Sequence, residues 1–158
     1  MTLPEATLAK LHTQLDCLSV ILAGADKETL ARKSPPEKWS AVQNLAHLAR
    51  YHEVFLDRLE RIRTEPRPLL PRYSAEEDPA WPEWSDLPLE EVQAQLGSLR
   101  GRLIAAIDQL PGSDLSRTAI HSRLGEMTVV EWLEFFLLHE AHHLYRVFQL
   151  ARLRHTKV

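Results

Sequence analysis

Leu8, Leu11, Leu15, Leu18 and Leu22 recur at spacings of three and four, the mark of one apolar stripe on an α-helix. The pattern predicts a first helix from Pro4 to Ala23. Pro4 suits a first turn, where its missing N–H costs nothing, and Gly24 suits the stop. A second helix is predicted from Ser40 to Arg63. Ser40 with Gln43 reads as a capping box, and Leu48, Phe55, Leu59 and Ile62 share a face with Tyr51 beside them. A third helix, from Pro88 to Leu110, carries the stripe Val92, Leu96, Leu99, Leu103, Ile107 and Leu110. Glu90 and Glu91 sit in its first turn, where acids favour the helix dipole, and Pro111-Gly112 ends it. A fourth runs from Thr128 to Arg154 and opens on a second capping box, Thr128 with Glu131. From Val129 to Leu138 it is apolar nearly all round, which fits a central helix and a subunit interface equally well.

No strand pattern competes with these helices. Four helices of similar length predict an all-α fold, a four-helix bundle. Residues 64–87 form a connection of 24 residues with five prolines, and a loop that long in a compact domain needs a reason. A helix of about 23 residues is about 35 Å long, and an extended connection of this length reaches about 80 Å. The connection can therefore cross the bundle and leave helices two and three parallel, in an up-down-down-up order. It can also serve as a flap over a site.

A length of 158 residues suits one domain, spanning residues 1–158. With 44% hydrophobic and 26% charged residues and a net charge of −3, the composition is that of a globular protein. Nothing in that charge points to nucleic acid, and the basic run Arg152 to Lys157 reads as a solvated helix end. The single cysteine, Cys17, excludes an internal disulfide framework and a Cys-rich zinc site; its place in an apolar pattern predicts a buried thiol. The first ten residues lack the form of a signal peptide, and no apolar stretch is long enough to span a bilayer. A cytoplasmic location is expected, with no membrane partner.

The candidate chemistry lies in the histidines. His139 and His143 are four apart, so they stack on one helical face with about 40° between them. The same face holds Trp132, Phe136, Val147 and Leu150 and should point into the bundle. Two adjacent buried imidazoles without partners are costly, and a shared metal ion resolves the cost; a packed or solvent-facing pair without metal accounts for the spacing as well. His142 lies about 100° from His143 and reads as an outward or supporting residue. His47 is the best candidate for a third ligand, near the shoulder of the second helix's stripe, although taken alone it is an ordinary histidine. His52, about 140° from His47, reads as packed or interfacial. Three histidines with no fourth protein ligand would leave open coordination positions, the catalytic style of site. Imidazole suits zinc, nickel, iron and copper.

Residues His139-Glu140-Ala141-His142-His143 also match H-E-x-x-H, the zinc-protease signature. The extended form of that motif needs Gly and His where Arg146 and Gln149 stand, and no carboxylate follows Glu140 to complete the other form. Glu140 reads as a neighbour of the site. A di-iron carboxylate bundle needs two Glu-x-x-His motifs, and Glu140-x-x-His143 has no counterpart on another helix.

Three stretches, Lys38-Trp39-Ser40 through His47-Leu48, His121 to Thr128, and His139 to Val147, together resemble the DinB/YfiT-like superfamily of metal-binding four-helix bundles. They occur in the same order, from about Lys38 to Leu150. The resemblance implies a metal triad of His47, His139 and His143, an up-down-down-up bundle and a homodimer. Arg146 stands where the family commonly has Gln. The resemblance further implies a divalent metal (zinc or nickel, with iron third) and a small-molecule substrate. The activity it implies is thiol S-transfer, using a low-molecular-weight thiol, or hydrolysis, with thiol transfer slightly ahead. A non-enzymatic metal-binding or stress-response module is the alternative. Tyr51, Trp81, Trp84 and Arg146 are candidate pocket residues, each with a purely structural role as its simpler explanation.

Overall fold

The structure, a computed structural model, describes residues 2–152. Seven α-helices occur among them: α1 (Glu5–Thr13), α2 (Leu18–Ile21), α3 (Lys27–Ala31), α4 (Ala41–Thr64), α5 (Trp81–Ser85), α6 (Leu89–Asp108) and α7 (Val129–Ala151). The four bundle positions are filled by α1 with α2, by α4, by α6 and by α7.

Two apolar clusters give the direction of each helix. One joins Leu11 of α1, Phe55, Leu59 and Ile62 of α4, Leu103 and Ile107 of α6, and Val129, Trp132, Leu133 and Phe136 of α7. The other joins Ile21 of α2, Leu45 and Leu48 of α4, Val92, Leu96 and Leu99 of α6, and Leu144, Val147 and Leu150 of α7. Thus α4 and α6 both start in the second cluster and end in the first, so they are parallel. The α1–α2 unit and α7 run the other way. The order is up-down-down-up.

Both capping boxes form as expected. Ser40 Oγ accepts from Gln43 N, and Gln43 Oε1 accepts from Ser40 N. Thr128 and Glu131 do the same at the start of α7. These caps place the first turns of α4 and α7 against defined positions, and both helices supply the site.

The first helix differs from expectation. A tight 3₁₀ stretch, Gln14–Cys17, separates α1 from α2. With about 120° per residue in a 3₁₀ turn and about 100° in an α-helix, the ten steps from Leu11 to Ile21 add to about three full turns. Ile21 therefore lies in line with Leu11 and is buried, while Leu22 is only half-buried. The same change of phase leaves Cys17 exposed, not buried. It also brings the Gln14 amide against α7, where it donates to Leu137 O and to Glu140 Oε1.

A small sheet, absent from the hydrophobic pattern, closes one end of the bundle. β1 (Leu69–Leu70) pairs parallel with β2 (Thr118–His121), which pairs antiparallel with β3 (Gly125–Thr128). Strands of two to four residues are too short for a period-two signal to stand out. Gly125, at φ 82°, takes the left-handed turn conformation that glycine tolerates. The sheet holds the α4–α6 connection in place: Ile120 N donates to Pro68 O and Arg72 N to Ser122 Oγ. Beyond it, Asp78 ties the connection to α4 by accepting from Arg50 and from Tyr73 Oη. The expected end of the fourth helix and most of the basic run lie outside the described residues.

Candidate metal centre

Three imidazoles converge between α4 and α7. His47 comes from α4, one turn inside its capping box, and His139 and His143 come from α7. One nitrogen from each can be chosen so that all three lie within 4.8 Å of one another. His47 Nε2 and His139 Nε2 are 3.1 Å apart.

The donor set fits a divalent cation. Zinc–nitrogen bonds of about 2.0–2.1 Å in a tetrahedral arrangement would put two ligand nitrogens about 3.3 Å apart, close to the separation of His47 from His139, with the third nitrogen within 4.8 Å of both. His143 Nδ1 donates to Asn44 Oδ1 at 2.8 Å, while Asn44 Nδ2 donates to Ser40 O. That chain orients the amide and fixes the proton of His143 on Nδ1, so Nε2 carries the lone pair. The Nδ1 atoms of His47 and His139 are buried without a hydrogen-bond partner among the described residues. An ion held by the two Nε2 atoms would leave these Nδ1 atoms as they are, so they mark the cost of burying the rings and not a ligand position.

Electrostatics keep the three rings in the ligand form. Burial pushes His47 down to about 3, helped by His143. Burial, then the neighbouring histidines, pushes His139 to about 2, and burial with His142 and Arg146 pushes His143 to about 4. At neutral pH all three are uncharged bases, as a metal ligand must be.

Aromatic rings wall the cluster. Trp39 packs on His47 at 4.9 Å between centroids and on His143 at 6.0 Å. Tyr51 lies 4.3 Å from His139, and Tyr73 lies 5.7 Å from His47. Above the rings opens a cavity of about 590 Å³, large enough for a small molecule. Its walls come from α4, from the α4–α6 connection and from the turn between β2 and β3. Within residues 64–87, Arg72 to Glu76 form one of those walls.

The remaining candidates separate clearly. His142 is exposed on the outside of α7, with its ring edge against His143. His52 is fully buried and donates from Nδ1 to Leu48 O. Glu140 lies apart from the histidine cluster, deep in the bundle; Arg100 and Gln14 bond its carboxylate, and His52 Nε2 stands 3.6 Å away. Burial raises its pKa, and Arg100 opposes the rise. This is no place for a protease general base. Tyr51 lines the cavity; Trp81 stacks behind Trp39 at 4.8 Å, and Trp84 packs into the second apolar cluster. Arg146 bonds Gln149 and borders a smaller hollow on the far side of His143.

Sequence reasoning missed Asn44, Arg58, Tyr73 and His121. Asn44 stands three residues before His47, a spacing that shares a helix face. Arg58 falls seven residues after Tyr51, in line with an apolar stripe, and a cation there is itself a signal. Tyr73 comes from an irregular segment and His121 from the end of a four-residue strand, and no periodicity predicts the position of either.

The fold and site define a class: a four-helix bundle with a cluster of three histidines shared by its second and fourth long helices. The chain belongs to the DinB superfamily, whose sequence profile matches residues 10–146. YfiT of Bacillus subtilis, described as a probable metal-dependent hydrolase with an unusual four-helix bundle topology, superposes with a TM-score of 0.77 at 20% identity, over 94% of this chain and 85% of that one. The crystal structure of TT2238, a four-helix bundle protein, superposes with a TM-score of 0.65 at 24% identity, over 90% of this chain and 95% of that one. A protein of Oceanobacillus iheyensis that bears the provisional name metal-dependent hydrolase is 28% identical over 116 residues. That match spans 72% of this chain and 66% of the relative, just under two thirds of its length.

Proposed function

We propose that His47, His139 and His143 hold one divalent metal ion, zinc or nickel before iron, and that the chain is a metal-dependent hydrolase of small molecules. The observation that carries this reading is the convergence of three neutral imidazoles beneath an open cavity. The provisional names of two relatives point the same way.

A three-histidine metal supplies Lewis acidity, which acidifies water and polarises a carbonyl or phosphoryl oxygen. The chain's own residues do the rest. Asn44 holds the proton of His143 on Nδ1 and its ring in position. Trp39, Tyr51 and Tyr73 wall the sides of the cluster, where the His47 and His139 rings meet edge to face at 63°. Thiol S-transfer, the activity placed slightly ahead by the family resemblance, would use the same three ligands.

The reading extends to one DinB-like domain acting in the cytoplasm as a homodimer. Leu138, Tyr145 and Phe148 lie exposed along one side of α7, and an apolar stripe of that kind suits a partner helix. No helix among the described residues is long and apolar enough to cross a membrane. Sedimentation of the Leu138→Lys variant tests the dimer, which should dissociate.

Elemental analysis of untagged protein, with His47→Ala and His139→Ala alongside, tests the centre. About one metal per chain in the parent, lost in both variants, is expected. Metal-dependent turnover of ester and amide panels should then exceed turnover of electrophiles with added thiols. A parent that takes up neither zinc nor nickel overturns the proposal.

A further inference from the structure

We propose that the cavity over the three histidines takes a substrate bearing a carboxylate or phosphate group, bound by Arg58, Arg72 and Arg123. The inference rests on reading the cavity as the substrate site of the metal centre.

Three arginines line that cavity together with a single carboxylate, Glu76. None of the three guanidinium groups has a carboxylate within ion-pair distance among the described residues. Arg58 makes the case most sharply. It is only 5% exposed, and among the described residues Arg100, at 6%, is the other arginine buried to that degree. Arg100 is neutralised by Glu140. Arg58 instead donates to two neutral oxygens, Tyr51 Oη at 2.9 Å and Pro71 O at 2.6 Å, and lies over the rings of Tyr51 and Trp132. Hydrogen bonds and ring faces solvate such a cation in part, but a buried charge ordinarily has an opposite charge beside it. Arg58 lines the cavity, and with Arg72 it also borders a smaller neighbouring hollow that holds Asp57, Glu77 and Asp78, none of them in an ion pair with either arginine.

His121 adds a donor of the same sense. Its Nδ1 accepts from the backbone N–H groups of Arg123 and Leu124. The neutral ring therefore carries its proton on Nε2. Arg58, His121, Arg123 and His139 all line this one cavity. Arg72 and Arg123 are exposed and come from the two irregular segments that form the walls. A cavity supplied with planar two-pronged donors and one carboxylate favours an anion, which a divalent metal would favour further.

Calorimetric titration with succinate, inorganic phosphate and neutral succinamide tests this, on both chelator-stripped and zinc-loaded protein. The parent should bind succinate or phosphate at least tenfold tighter than succinamide in the stripped form. Whichever anion binds tighter names the group. Arg123→Glu and Arg72→Glu should each weaken that anion about tenfold, and Arg67→Glu, a sheet-edge control paired with Glu126, should not. Arg58→Lys, which keeps the charge and loses the fork, should weaken it where Arg58→Gln proves too unstable to assay. Equal affinity for succinamide, or unchanged affinity in the Arg72 and Arg123 variants, overturns the proposal. Anion binding that appears only with zinc and survives those variants also overturns it, and leaves the metal centre standing. Anion binding to a protein that takes up no metal keeps the arginine pocket and overturns the hydrolase reading.

Discussion

Asn44 offers the sharpest test of how this bundle prepares a metal site. Its side chain spans two bonds of 2.8 Å, giving one from Nδ2 to Ser40 O and accepting one at Oδ1 from His143 Nδ1. Asn44→Ala removes the acceptor, leaves the His143 Nδ1–H unpaired, and frees the ring to turn or change tautomer. Loss of such a supporting partner costs about 10–100-fold in metal affinity, equivalent to about 1.4–2.7 kcal/mol. Stability of the metal-free protein should fall by about 1–3 kcal/mol, the cost of an unsatisfied buried donor. Asn44→Asp separates the two roles. Its carboxylate still accepts from His143 and makes that imidazole a stronger base, so metal affinity should equal or exceed the parent's. Its second oxygen, however, faces Ser40 O where a donor stood, so the metal-free protein should lose stability. Zinc affinity is read by competition with a chromophoric chelator at pH 7.5, and stability by urea denaturation of stripped protein. An Asn44→Ala variant that binds zinc like the parent, or an Asn44→Asp variant that loses as much affinity as the alanine, would refute the reasoning.

Acid should destabilise the metal-free protein. The folded values of His47, His139 and His143 (about 3, 2 and 4) lie below the unfolded value near 6.5. The folded state therefore binds fewer protons, and stability is intact above pH 6.5 and is lost progressively as pH falls from there through the folded values. Each ring should cost about 2 kcal/mol between pH 7 and pH 5, and urea midpoints that do not move over that range would contradict the burial described. Arg100→Met should cost about 3–5 kcal/mol, because it strands the Glu140 carboxylate in the core. Adding Glu140→Leu should recover much of that loss, and a double variant no more stable than the single would show that the pair is not the cause. Phe136→Ala, in a ring that packs on Phe55 at 4.5 Å between centroids, should cost about 3–5 kcal/mol by thermal or urea unfolding.

The helices of this protein were legible because their signals are local. A stripe at 3.6-residue spacing and two capping boxes need nothing beyond neighbours in the chain, and both boxes form where the sequence places them. The pairing of His139 with His143 is equally local, since one turn of helix sets it. The length of the α4–α6 connection carried the parallel arrangement of those helices, by reach alone. Other features depend on contacts between distant residues. The 3₁₀ turn at Gln14–Cys17 accompanies Gln14 bonding to α7, more than 120 residues away, and it reverses the expectation for Cys17. The three short strands exist because each supplies hydrogen bonds to another, and none has a pattern of its own. The buried charge of Arg100 is satisfied by Glu140, forty residues along the chain. At the site itself, the sequence by itself determined which face carries His139 and His143 and which helix carries His47. Only the tertiary structure decided that the three nitrogens meet, that Asn44 orients one of them, and that Arg58, Arg72, Arg123 and His121 share their cavity, because those distances are set by how helices and loops pack and not by their order in the chain.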